Sequence, residues 1–135
     1  MNIFVDTNVL IDVIAKRSGF FEASAQILRQ CEAEIHKGNI SALSIANIMY
    51  ICKKYVSKEI LSSAVQSLAK IFEIIDLTQK DISGALSLDI ADFEDALQFL
   101  AAKRAKADYI ITRDIAHFKN SKIIPLTPEN FLKML

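Results

Sequence analysis

The chain has 135 residues and a mass of 15.1 kDa, the usual size of one domain, and 52% of its residues are apolar with only three Gly and two Pro. That composition excludes intrinsic disorder and provides for a packed core, while sixteen acids balance sixteen bases, so no global charge steers the chain to a polyanion or a membrane. No apolar run approaches the roughly 20 residues of a membrane span, and the start MNIFVDTNVL lacks a basic leader and a cleavage site; the expectation is a soluble, cytoplasmic protein of one domain over residues 1–135.

In chain order, Asn2 to Asp6 carries a short apolar run that ends abruptly in an acid, as a buried strand would. A short helix follows from Asn8 to about Ala15. Phe21 to Lys37 has apolar residues at helical spacing, with Gly38-Asn39 as its stop. Ile40 to Leu43 reads as a second strand, after which Ser44 caps a helix through about Val56 and Ser57 caps another through about Ala69. Phe72 to Ile75 is a third strand. Thr78 to Leu88 and Asp92 to Ala107 read as helices, Tyr109 to Thr112 as a fourth strand, and Ile123-Ile124 as a fifth that runs into Pro125. Thr127-Pro128 opens a last helix with Pro at its first position. Apolar strands alternating with amphipathic helices predict a parallel α/β sheet of four or five strands covered on both faces. Cys31 and Cys52 lie on separate apolar helical patterns and read as buried free thiols, and neither His36 nor His117 has the spacing of a zinc ligand.

In such a sheet, ligands bind at the carboxyl ends of the strands, beside the point where strand order reverses. The first strand ends in Asp6-Thr7-Asn8 and the fourth in Thr112-Arg113-Asp114. Between them, Asp89, Asp92, Glu94 and Asp95 place four carboxylates in seven residues without an intervening base. On a helical wheel Asp92 and Asp95 are about 60° apart on one flank of a core stripe formed by Phe93, Ala96, Leu97 and Leu100, with Glu94 on the other flank. Each acid also has an ordinary reading. Asp92 and Asp95 have capping-box spacing, and Asp6 and Asp114 precede helix starts, where Asp is a favoured N-cap. If the acids instead converge at the sheet mouth, their mutual repulsion is relieved by a hard divalent cation, for which an all-oxygen shell suits Mg²⁺ or Mn²⁺.

FVDTNVLIDV, DFEDALQFLAA and ADYIITRDIAHF, followed by the closing PLTPENFL, resemble in order and spacing the PIN-domain family of metal-dependent ribonucleases. The resemblance spans nearly the whole chain. It implies a three-layer α/β/α sandwich with a central parallel sheet and acids at its mouth, cleavage of single-stranded RNA with Mg²⁺ or Mn²⁺, and kinship with VapC-type toxins that an antitoxin protein holds inactive. It also implies pairing into a homodimer, here through helices between Phe21 and Ala69. Carried over by position, Asp6, Asp95 and Asp114 are metal-binding and catalytic, with Asn8 and Thr112 as polar support. The departure is in SALSIANIMYI, where Asn47 stands in place of the second acid. This looks like a subgroup trait, and Asp92, one turn before Asp95, is the further carboxylate that offsets it as a metal ligand.

A cation so held would activate water for in-line attack on a phosphodiester, with Arg113 beside Asp114 as the phosphate contact. Lys53-Lys54 and Lys103-Arg104-Lys106 sit near helix C-termini, where the macrodipole accounts for them without a ligand. A receiver-like phosphoacceptor lacks the lysine that should end the fifth strand, and DTNV departs from the haloacid phosphatase pattern. The alternative is a catalytically weak PIN-like domain that binds nucleic acid or protein, which the neutral Asn47 favours.

Overall fold

Ile3, Phe4 and Val5 have no exposed surface, and they form the central strand of the sheet. The computed structural model describes all 135 residues. Strand β1 (Asn2–Val5) leads into helices α1 (Thr7–Ile14) and α2 (Phe21–Glu32), then β2 (Lys37–Ser41), α3 (Ala42–Cys52), α4 (Lys58–Ile71) and β3 (Glu73–Ile75). The second half holds α5 (Gln79–Ala85), α6 (Phe93–Arg104), β4 (Tyr109–Ile111), a 3-10 turn at Ile115–Phe118, β5 (Ile124–Leu126) and α7 (Pro128–Met134). All four strand pairings are parallel, in the order β3-β2-β1-β4-β5. The chain builds outward from β1 to β3, then crosses to β4 on the other side. The reversal therefore lies between β1 and β4, where Val5 is in register with Ile111. Asp6 and Thr112 leave the sheet there side by side.

Side chains alternate across β1 and divide the core. Ile3 and Val5 join Val9, Leu10, Ile27, Ile48, Leu61 and Phe131 beneath α1 to α4 and α7. Phe4 points the other way, onto Ile110, Phe99 and Phe118, where α6 covers the sheet. The result is the three-layer α/β/α sandwich. No helix is long and apolar enough to cross a membrane.

Three local expectations are corrected. First, α2 ends at Glu32 rather than Lys37, and the chain turns through Glu34 at a φ of 60°. Gly38-Asn39 belongs to β2, not to a helix stop. A Cβ on Gly38 would lie 2.6 Å from the Phe72 ring and 2.9 Å from Cys31 Sγ, so close packing requires this glycine. Second, Ser41 rather than Ser44 caps α3, its Oγ accepting the Ser44 N–H at 3.0 Å; Ser44 is buried one turn inside. Third, Phe93 is exposed, and the buried face of α6 is Ala96, Leu97, Phe99, Ala101 and Ala102 with Gln98 among them. Pro125 lies within β5, which tolerates it as an edge strand. Cys31 and Cys52 are buried free thiols.

Candidate active site at the carboxyl end of the sheet

Asp6 is the N-cap of α1, and its extended backbone turns the carboxylate back over the helix start. Oδ1 accepts from the Thr7 N–H at 2.9 Å and from Gln98 Nε2 at 2.9 Å. Oδ2 accepts the Thr112 hydroxyl at 2.8 Å. Thr112 in turn accepts the Asp114 N–H at 3.0 Å, which fixes the first residues beyond β4. Asn8 completes the bridge: its Nδ2 donates to Asp114 Oδ2 at 3.0 Å, and its Oδ1 accepts the Arg113 N–H at 3.3 Å. The polar residues after β1 and β4 thus hold two carboxylates across the reversal of strand order.

Asp6, Asn8, Asn47, Glu94, Asp95 and Asp114 border one cleft of about 250 Å³, with Ile11, Leu43 and Ile51 as its apolar wall. The carboxylates border this cleft without closing on a point, and no three His, Cys, Asp or Glu side chains gather tightly enough to enclose an ion. Their electrostatics are nonetheless those of uncompensated charge. Burial raises the pKa of Asp6, donors from Gln98, Thr112 and Thr7 pull it back, and the negative charge of Asp114 adds to the rise. Asp95 is pushed up to about 6, first by burial and then by the charges of Asp92 and Asp6, with His117 opposing. No lysine or arginine forms an ion pair with Asp6, Asp95 or Asp114. An all-oxygen donor set with surplus negative charge fits a hard divalent cation.

Two residues expected here lie elsewhere. Asp92 does not border the cleft. It precedes α6 with non-helical backbone, so the helical wheel does not govern it, and its Oδ1 folds back to accept the Asp95 N–H at 3.0 Å. The reciprocal half of a capping box is not formed, in contrast to Thr78 and Asp81 at the start of α5, where both halves are present. That leaves the Asp95 carboxylate to the cleft, with Glu94 rather than Asp92 beside it. Arg113 is likewise turned away. Its Nε and Nη2 meet the two oxygens of the wholly buried Asp12 at 2.9 Å each, and its guanidinium lies 4.2 Å from the centre of the Phe20 ring. With 22% of its side chain exposed, Arg113 anchors α1 to the segment beyond β4; the cation that borders the cleft is Arg17.

The profile of the PIN domain matches residues 2–116. The chain belongs to the PIN-domain family. Over 134 residues this PIN domain is 29% identical to Ribonuclease VapC1 of Aquifex aeolicus (strain VF5), covering 96% of this chain and 92% of that one. In fold it is similar to a toxin-antitoxin complex from Klebsiella pneumoniae, with a TM-score of 0.72 at 24% identity, covering 93% of this chain and 97% of the other. It is also similar to VapBC2 from Rickettsia felis bound to a DNA fragment from their promoter, with a TM-score of 0.70 at 21% identity over 94% and 98% of the two chains.

Within this PIN domain Asn47 faces the cleft from the second turn of α3, and its Nδ2 lies 3.4 Å from Glu94 Oε2. Several site residues escape sequence reasoning. Glu94, which the helical wheel sets on the far flank, borders the cleft; Gln98 gives no periodic signal that separates it from an ordinary helix stripe, and Arg17 lies on the loop between α1 and α2, where periodicity does not apply. His117, whose Nδ1 stands 2.8 Å from Asp95 Oδ2, is brought there by the 3-10 turn after Asp114. The HF pair of ADYIITRDIAHF carries the only hint, since Phe118 is fully buried and fixes the direction of the histidine before it.

Proposed function

We propose that this PIN domain is a divalent-metal-dependent endoribonuclease acting on single-stranded RNA, and the toxin of a pair whose antitoxin is a separate protein. One observation carries the reading. Carboxylates from three separate segments border one cleft at the reversal of strand order, and the most buried of them, Asp6, is met only by neutral donors. Asp6, Asp95 and Asp114 would hold Mg²⁺ or Mn²⁺, with Glu94 at the rim and Asn8 and Thr112 fixing the ligands. When bound, such an ion supplies positive charge against the phosphate oxygens and acidifies water beside them. Arg17 offers a phosphate contact at the cleft edge, where the acids would otherwise repel a polyanion. The relative named as a ribonuclease and the fold neighbours in toxin-antitoxin complexes support the activity and the partner.

The deciding experiment is cleavage of single-stranded RNA with Mn²⁺, with Mg²⁺ and with chelator, for the parent and Asp6→Asn. Metal-dependent cleavage lost in Asp6→Asn is expected; cleavage that survives both chelator and substitution would refute it. A second reading is a binding module without catalysis, favoured by the neutral Asn47 and the open arrangement of the acids. It predicts RNA retention without cleavage in every metal. For assembly we propose a homodimer through α3, α4 and the turn between them, where Tyr50, Tyr55 and Ile60 are exposed. Light scattering that gives a 15.1 kDa monomer at micromolar concentration would exclude it.

A further inference from the structure

Gln98 is a buried amide on an otherwise apolar helix face, and a buried amide is costly unless each end is paired. Here both ends are. Nε2 donates to Asp6 Oδ1 at 2.9 Å and to Ser44 Oγ at 2.9 Å, with Thr7 Oγ1 at 3.3 Å. Oε1 accepts the Ser41 hydroxyl. The orientation follows from proton counting. An ionised Asp6 only accepts, so the NH₂ end of the amide must face it. Ser41 Oγ accepts the Ser44 N–H at 3.0 Å, and its own proton has two acceptors in reach, Ser44 Oγ at 3.2 Å and the nearer Gln98 Oε1.

We infer that Gln98 is a positioning residue for Asp6, oriented by Ser41, and that this pair sets the cation affinity of the cleft. The inference rests on the reading of the cleft as a cation site and adds residues outside the acidic set. Gln98 follows Glu94 and Asp95 by one helical turn, so its bond to Asp6 also fixes the rotation of α6 that turns both acids to the cleft. Ser44 precedes Asn47 by the same interval on α3. One amide on the second turn of α6 therefore ties that helix to the first turns of α1 and α3, and all three helices carry a side chain bordering the cleft. An Asp6 carboxylate released from it keeps the Thr7 N–H on Oδ1 and the Thr112 hydroxyl on Oδ2, but loses the donor that ties it to α6.

The test is Mn²⁺ calorimetry paired with thermal melting for the parent, Gln98→Met, Ser41→Ala and Ser57→Ala. Gln98→Met keeps the length of the side chain and removes the hydrogen bonds; Mn²⁺ affinity should fall about 10- to 100-fold, the usual effect of losing a group that orients a metal ligand. Ser41→Ala should give a smaller loss in the same direction and covers the case in which Gln98→Met does not fold. Ser57→Ala removes the equivalent cap of α4, remote from the cleft, and should lower the melting temperature without changing Mn²⁺ affinity. If Gln98→Met and Ser41→Ala melt lower yet bind Mn²⁺ as the parent does, the pair is only structural and the inference fails. A parent that binds no Mn²⁺ overturns the cation reading itself, and this inference with it.

Discussion

Asp6 and Asp12 are both buried carboxylates on the same short stretch of chain, yet they are matched in opposite ways. Asp12 is enclosed by charge. Arg113 meets it with two nitrogens, Arg17 approaches to 3.8 Å, and the Ser24 hydroxyl adds a bond at 3.1 Å. Asp6 has three donors, all neutral, and Asp114 as a neighbour of its own sign. A buried carboxylate balanced by guanidinium is finished structure, and it serves here to fasten α1 and α2 to the segment that carries Asp114. One balanced only by dipoles keeps its charge available to an ion from solution. The expectation that Arg113 reads substrate reverses for this reason: Asp12 takes its guanidinium in two short contacts, while Arg17, at 3.8 Å from Asp12, also borders the cleft.

The largest effect expected is at Asp12. Asp12→Ala removes one side of a buried pair and strands Arg113, and such losses cost about 3–5 kcal/mol. Urea denaturation should show it as a lower midpoint, and a loss below about 1 kcal/mol would mean that Arg113 finds water without difficulty. Next comes the response to metal. A ligand that binds only the folded state stabilises it by about 2.7 kcal/mol at one hundred times its Kd, so millimolar Mn²⁺ should raise the melting temperature of the parent. Asp6→Asn should melt without any Mn²⁺ response, whereas Asp12→Asn, if folded, should keep one. A response shared by neither or by both would erase the distinction between the two acids.

Asn47→Glu sharpens the same contrast by adding charge. A carboxylate there would face the cleft beside Glu94, gaining attraction for a divalent ion against repulsion from four acids. The net expectation is a rise of about ten- to a hundredfold in Mn²⁺ affinity, at ~1.4 kcal/mol for each factor of ten, with lower stability when metal is absent. Unchanged affinity in calorimetry would show that position 47 does not reach the ion.

The smallest effect is in pH. Burial and neighbouring acids raise Asp6 and Asp95, the latter to about 6, above the ordinary 3.8 of the unfolded chain. Between those values the folded state binds more protons than the unfolded one, so metal-free stability falls as pH rises from about 4 through about 6. Asp81 contributes with the opposite sign: burial would raise it, but Arg104 and the Thr78 cap outweigh that and hold it below 3.8, so its stabilisation is lost as pH falls below that value. Melting curves of Asp95→Asn should therefore be flatter than those of the parent between pH 4 and 6, and Mn²⁺ should flatten the parent as well. Parallel curves would deny Asp95 its raised pKa.

The strands, their order of appearance and most helices follow from apolar runs and cap residues, since local pattern and burial point to the same answer. Asp6, Asn8, Thr112 and Asp114 are legible for a related reason: they sit one or two residues past strand ends, where a parallel sheet opens its mouth. What sequence does not disclose is rotation and partnership. Asp92 and Glu94 exchange places because a cap residue lies off the helical screw. Gln98 reads as one polar residue in a stripe until Ser41, Ser44 and Asp6 are seen to converge on it from other elements. Arg113 reads as a free cation because Asp12 lies 101 positions away. These are pairings at long range, and periodicity carries no record of them.

The central position of β1 has a further consequence for the order in which the molecule comes into being. Asp6 and Thr112, which hydrogen-bond at the reversal of strand order, are separated by 106 positions. As the chain leaves the ribosome, β1, β2 and β3 emerge first and can pair among themselves, but the side of the cleft built on β4 does not yet exist. Any partly folded form that lacks β4 is thus three of the five strands with one side of the cleft missing, and the cleft is complete only once the long-range pairing of β1 with β4 has formed.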